Sequence, residues 1–136
     1  MNCSSLRHLF ANYPFSWCCI VFIWVLCLIP LPETPLSEVR FFDKWTHLVF
    51  YGGLCTVIWT EYGRRHSAIN WKRAVMGAIV APLIMGALIE VVQATCTFGI
   101  RNGDVIDWVA DAVGVALGQV IGIPLAHWLA RRNKGR

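Results

Sequence analysis

The chain predicts an all-α membrane protein, a bundle of four transmembrane helices with both termini in the cytoplasm. Three observations lead there. Hydrophobic residues make up 57% of its 136 residues and charged ones only 15%, whereas a soluble domain is about 45–50% apolar. The apolar residues gather in four runs, about 13–31, 45–62, 74–92 and 105–130, each of a length suited to a ~30 Å hydrocarbon layer. The basic residues are distributed unequally between the two sides of those runs. Arg7, Arg64, Arg65, Lys72, Arg73, Arg131, Arg132, Lys134 and Arg136 fall on one side, and only Arg40, Lys44 and Arg101 on the other. The richer side is expected inside the cell. Residues 1–136 are thus expected to form one membrane domain, multi-pass, in the cytoplasmic (inner) membrane and in contact with its lipids. The net charge of +4 lies in loops and at the C-terminus, not on a polar face with interleaved aromatics, so no nucleic-acid partner is expected.

Each run carries its own signals. The first follows Arg7 and His8 and stops at Pro30 and Pro32. The segment after it, PLPETPLSEVR, lacks a small-x-small cleavage site, so the run reads as a helix and not as a signal peptide. The second is interrupted by His47, Tyr51, Gly52, Gly53 and Thr56, with Trp45, Trp59 and Tyr62 where interfacial aromatics are expected. The third contains Pro82, which should bend the helix or be accommodated by a neighbour. The fourth, entered through RNGDVIDWVADAVGVALGQVIG, places Asp104, Asp107, Asp111, Gly114, Gly118 and Gly122 on one narrow stripe. Its glycines form two overlapping GxxxG units, which predict close helix packing and a candidate surface for a homo-oligomer. Cys18, Cys19, Cys27 and Cys55 lie inside apolar runs and read as small buried thiols. Cys3 and Cys96 fall on opposite sides and cannot pair within one chain.

This topology gathers the ionisable groups at the outer level. Asp43, His47 and Tyr51 share a face of the second helix, and Glu90 and Gln93 a face of the third. Lys44 begins the second helix, Arg101 lies in the last loop, and Asp104, Asp107 and Asp111 begin the stripe of the fourth. Each has a plainer explanation. Asp43 and Asp104 could cap helices, Lys44 could be a snorkelling interfacial charge, and His47 and Tyr51 could simply hydrogen-bond within the bundle. Glu90 and Asp111 resist such explanations, because a carboxylate in an apolar setting needs a partner or a proton.

Three blocks of these residues, DKWTHLVFYGGL (Asp43 to Leu54), IEVVQ (Ile89 to Gln93) and RNGDVIDWVADAVGVALG (Arg101 to Gly118), resemble the pattern of the VanZ-like membrane family, named for a teicoplanin-resistance protein. The resemblance covers the second to fourth helices. Asp43, Lys44, His47 and Tyr51 match its first block, Glu90 and Gln93 its second, and Arg101, Asp107, Gly114 and Gly118 its third. This chain has Asp111 where the family usually carries Asn. The resemblance implies an outward-facing site and an association with low-level glycopeptide resistance, and says little about chemistry.

Three functions compete. The first is binding of an envelope component or a glycopeptide near the outer leaflet. The second is an enzyme acting on a lipid or lipid-linked head group, with His47 as general acid or base, Glu90 and Asp107 orienting it and Arg101 holding an anion; no Ser or Cys nucleophile stands at a convincing spacing. The third is a cation site built from His47, Glu90, Asp107 and Asp111. No spaced zinc motif supports it, so no metal and no cofactor are assigned. Around the site five acids (Asp43, Glu90, Asp104, Asp107, Asp111) face three bases (Arg40, Lys44, Arg101). That excess disfavours an anionic ligand and suits a protonated carboxyl or a positively charged partner; catalysis also needs a dry, closed cavity, which four short helices barely provide, so binding ranks above it.

Overall fold

A computed structural model describes residues 11–29, 42–96 and 103–135. They form four helices and no strand: α1 (Pro14–Leu28), α2 (Phe42–Arg65), α3 (Trp71–Cys96) and α4 (Val105–Lys134). The observed α2 and α3 begin three residues before their expected starts, and α4 runs four residues past its expected end. Arg40 and Arg101 lie outside the described residues, as does Cys3.

The helix ends are fixed by specific polar groups. Pro14 opens α1 where a missing N–H costs nothing. The next two N–H groups, of Phe15 and Ser16, donate to the two carboxylate oxygens of Glu61 at 3.0 and 2.9 Å, so an acid on α2 caps α1 and complements its dipole. Asn70 caps α3 through the N–H of Arg73, and Asp104 caps α4 through the N–H of Ile106 at 2.9 Å. At the far end of α4, Asn133 donates to the carbonyls of Gly63 and Arg64 at 3.2 and 2.8 Å. These contacts set an up-down order in which Pro14 and Lys134 share one pole. Arg64, Arg65, Lys72, Arg73, Arg131, Arg132 and Lys134 sit at that same pole, and Lys44 with Asp43, Asp104 and Asp107 at the other.

The α2–α4 pair is the most extensively packed in the bundle, and the glycine stripe explains why. A Cβ on Gly114 would run into the backbone carbonyl of Leu48. One on Gly118 would stand 2.6 Å from Cys55 Cβ and 2.8 Å from the Gly52 carbonyl, and one on Gly122 would enter the Trp59 indole. Bare backbone at all three positions lets the helices approach as small-residue motifs allow. Because α2 of the same chain covers this stripe, a homo-oligomer would have to use another surface.

Pro82 produces a specific local defect in α3. It offers no N–H to the carbonyl of Ala78, and just before it the helix widens to a π turn over Met76–Val80, closed by the Ala81 N–H onto Met76. Gln119 of α4 compensates by donating to the Ala78 carbonyl at 3.0 Å and to its own Val115 carbonyl at 2.8 Å, while accepting from the Trp59 indole at 2.6 Å. Gln119→Leu should therefore leave an indole N–H and a proline-freed carbonyl unpaired and cost about 1–3 kcal/mol. Thermal unfolding in detergent measures the loss, and amide exchange around Met76–Val80 should rise with it.

Beside an apolar core that includes Ile23, Leu54, Trp59 and Ile89, the bundle buries several ionisable groups and exposes many large apolar ones. His47, Glu61, Glu90, Gln93, Asp107 and Asp111 are buried, while Phe15, Phe22, Val49, Ile84, Leu88, Val109, Leu117, Val120 and Ile121 are exposed. Two helices, Trp71–Cys96 and Val105–Lys134, are long and apolar enough to cross a membrane by length and composition. The other two expected crossings do not reach that standard. The apolar helix α1 has 15 residues, and α2 carries acids and bases near both ends. Two aromatics also depart from expectation: Trp59 and Tyr62 are buried, not interfacial. Gln119 occupies the Trp59 N–H, and the Tyr62 hydroxyl accepts from the backbone of Asn70. Cys27 and Cys55 are buried as expected, whereas Cys19 is half-buried and Cys18 lies exposed on the face of α1 that points away from the bundle's core.

Candidate functional site

The N-terminal end of α2, the C-terminal end of α3 and the N-terminal end of α4 meet at the pole opposite the basic residues. Their polar side chains form two tiers. In the outer tier Lys44 Nζ donates to Asp104 Oδ2 at 2.9 Å and to Asp107 Oδ1 at 2.5 Å. An ammonium carries three donors, so one lysine serves both acids and clamps α2 to the start of α4. Lys44 is therefore no snorkelling charge. Asp104 both caps α4 and binds Lys44; the Ile106 N–H first, and Lys44 second, hold its carboxyl below the ordinary Asp range. Asp43 lies exposed in the first turn of α2.

The inner tier lies one turn deeper. His47 Nδ1 pairs with Asp111 Oδ1 at 2.9 Å, both side chains buried. Tyr51 follows one turn along α2 and is also buried. Glu90 reaches across from α3, where its Oε2 accepts the backbone N–H of Asp104 at 2.7 Å. Three atoms of this tier, Tyr51 Oη, Glu90 Oε1 and Asp111 Oδ2, are buried without a hydrogen-bond partner among the described residues. Such groups are costly and rare in folded proteins.

A glycine makes this approach possible. A Cβ on Gly86, one turn before Glu90, would stand 2.5 Å from Asp111 Oδ2 and 3.3 Å from Tyr51 Oη. With no side chain there, the carboxylate and the phenol press against the backbone of α3. Sequence reasoning did not single out Gly86, although its spacing of four from Glu90 puts both on one face. Nor did it single out Glu61 or Gln119. The available signal was the same for both, a strongly polar side chain inside an apolar run.

Of the expected site residues, the structure brings Asp43, Lys44, His47, Tyr51, Glu90, Asp104, Asp107 and Asp111 to this one pole. Gln93 is buried beside them but turns its amide nitrogen to the Cys27 carbonyl at 2.8 Å, joining α1 to α3. Arg101 lies outside the described residues. The orientation of His47 differs from the expected one: Asp111, not Glu90 or Asp107, holds its ring. A carboxylate on Nδ1 fixes an imidazole's tautomer and direction, as a general base or a metal ligand requires.

Two sets of ligand atoms lie within 4.8 Å of one another, Asp43–His47–Asp107 and His47–Glu90–Asp111, the second buried throughout. No protein-family model matches the chain, and neither characterised proteins nor solved structures yield a match.

Proposed function

We propose that the chain crosses the cytoplasmic membrane four times with both ends inside, and that its outward-facing acidic mouth binds the protonated amine of an envelope component or glycopeptide. Support for the membrane setting comes from the large apolar side chains on the bundle's exterior and from seven described basic residues at the pole opposite Asp43, Asp104 and Asp107; the basic pole then faces the cytoplasm. Exposed apolar side chains contact lipid in this arrangement.

One observation carries the ligand class. Among the described residues at the mouth, Asp104 and Asp107 hold the one ammonium, that of Lys44, and a carboxylate oxygen of Asp43 lies within 4.8 Å of one of Asp107. Ionised, that group is short of two positive charges, and an amine supplies what a phosphate would worsen. The resemblance of the three sequence blocks to the VanZ-like family favours a teicoplanin-type glycopeptide as the first ligand to try. Expression of the chain should then lower teicoplanin susceptibility, and Asp107→Asn at equal membrane abundance should abolish the effect. Labelled teicoplanin should likewise bind the detergent-purified wild type. An unchanged susceptibility at confirmed expression, with no binding, removes the glycopeptide from the proposal.

A further inference from the structure

We infer that the inner tier is a site for a first-row divalent metal ion, held by His47, Glu90 and Asp111 with Tyr51 beside them. The inference takes only its location from the preceding reading, and needs no envelope ligand. It begins with the three orphaned atoms. Tyr51 Oη, Glu90 Oε1 and Asp111 Oδ2 come from three different helices, and each is buried without a partner among the described residues. Two are acceptors, and a phenol can serve as either donor or acceptor. Buried carboxylates left this way are normally paired with a charge or coordinate a metal.

The separation of the ligand atoms fits the second possibility. One imidazole nitrogen of His47 and one oxygen each from Glu90 and Asp111 lie within 4.8 Å of one another. Ligands at about 2.0–2.2 Å from a common ion stand roughly 3–4.5 Å apart; coordination through His47 Nδ1 would replace its 2.9 Å hydrogen bond to Asp111 Oδ1, with the ring proton on Nε2, and otherwise needs only small side-chain adjustments. Charge points the same way. Two carboxylates and a neutral imidazole leave two negative charges in a buried site, which a divalent ion cancels and a single ammonium does not. Lys44, the cation nearest in sequence, is committed to Asp104 and Asp107.

The same commitment decides between the two candidate sets. In Asp43–His47–Asp107 one acid already carries the Lys44 ammonium and another is exposed. The set His47–Glu90–Asp111 has neither drawback. Its donors, one nitrogen with two carboxylates and a nearby phenol, suit zinc or manganese better than magnesium, which prefers oxygen and water. Gly86 makes room, since any side chain there would displace Asp111 Oδ2. No spacing motif announces these ligands because each helix contributes at most two of the four residues.

The test is metal content and loading of the full chain purified in detergent, stripped with chelator and returned to Zn²⁺ or Mn²⁺, with Mg²⁺ as comparison. Zn²⁺ or Mn²⁺ should bind with one ion per chain and raise the unfolding temperature, and Mg²⁺ should not. Glu90→Gln and Asp111→Asn should weaken binding by at least about tenfold, while Glu61→Gln, at the opposite pole, should leave the stoichiometry unchanged. Should those variants fail to fold, Co²⁺ added to the wild type gives a second readout, a visible spectrum of mixed nitrogen and oxygen coordination. A folded wild type that takes up no ion, shows no thermal shift and gives no Co²⁺ spectrum overturns the inference. So does an ion lost in Asp43→Asn but retained in Glu90→Gln. A metal-binding protein that neither shifts teicoplanin susceptibility nor binds teicoplanin would remove only the glycopeptide from the preceding proposal, and the reverse outcome would sink only this inference.

Discussion

Gly114→Ala should destabilise the bundle by about 3 kcal/mol, the upper part of the range for overpacking, although alanine is the better helix former. The added methyl would meet the Leu48 carbonyl of α2, and the Gly114 carbonyl itself lies 3.3 Å from where a Cβ on Gly52 would stand. Backbone faces backbone here, so no flexible side-chain end can swing aside. Relief requires α2 and α4 to separate, and that pair is the most extensively packed among the described residues. Gly53, one residue away from Gly52, has nothing within 4 Å of an added Cβ. Gly53→Ala should therefore be neutral or gain up to about 1 kcal/mol from helix propensity alone. Thermal or denaturant unfolding of the two variants in the same detergent provides the comparison. Equal stabilities would mean that the stripe does not set the helix separation.

That stripe was legible from sequence because its period is a property of one helix. Residues three or four apart share a face whatever the neighbours do, so Asp107, Asp111, Gly114, Gly118 and Gly122 align before any partner is known. The pairing of particular atoms was not legible in this way. Whether Glu90, Asp107 or Asp111 would hold His47 depends on how α3 and α4 are rotated about their axes against α2, and the rotation follows from packing around Gly86 and Gly114. The same limit applies to Trp59. Position near the end of an apolar run suggested an interfacial ring, but a hydrogen-bonding partner 60 residues away, Gln119, draws it inside. Pro82 announced a break in α3, while the residue that repairs it belongs to α4. Glu61 was equally dependent on its surroundings, because its role exists only where α1 begins beside the end of α2.

Lys44→Met is expected to cost about 3 kcal/mol, toward the low end for breaking a buried ion pair by removing one partner. The low end is appropriate because the two ends of the pair differ: the side chain of Asp107 is 6% exposed and that of Lys44 22%. Methionine keeps much of the lysine stem's packing, so the loss reports mainly on the carboxylate left behind. Asp104 contributes less to the loss, since it is more exposed and keeps the Ile106 N–H. Asp107→Asn alone should cost less, because Lys44 retains Asp104 and reaches water. The double variant Lys44→Met/Asp107→Asn should be more stable than Lys44→Met alone, and the difference from additivity measures the coupling between the two side chains. Additive losses would show that the ammonium is held by solvent and Asp104 instead. The charge deficit that favours an amine at the mouth would then have to be counted without this pair. If the coupling is found, Lys44 is committed, and among the described residues no second cation at this pole is left to balance the remaining acids.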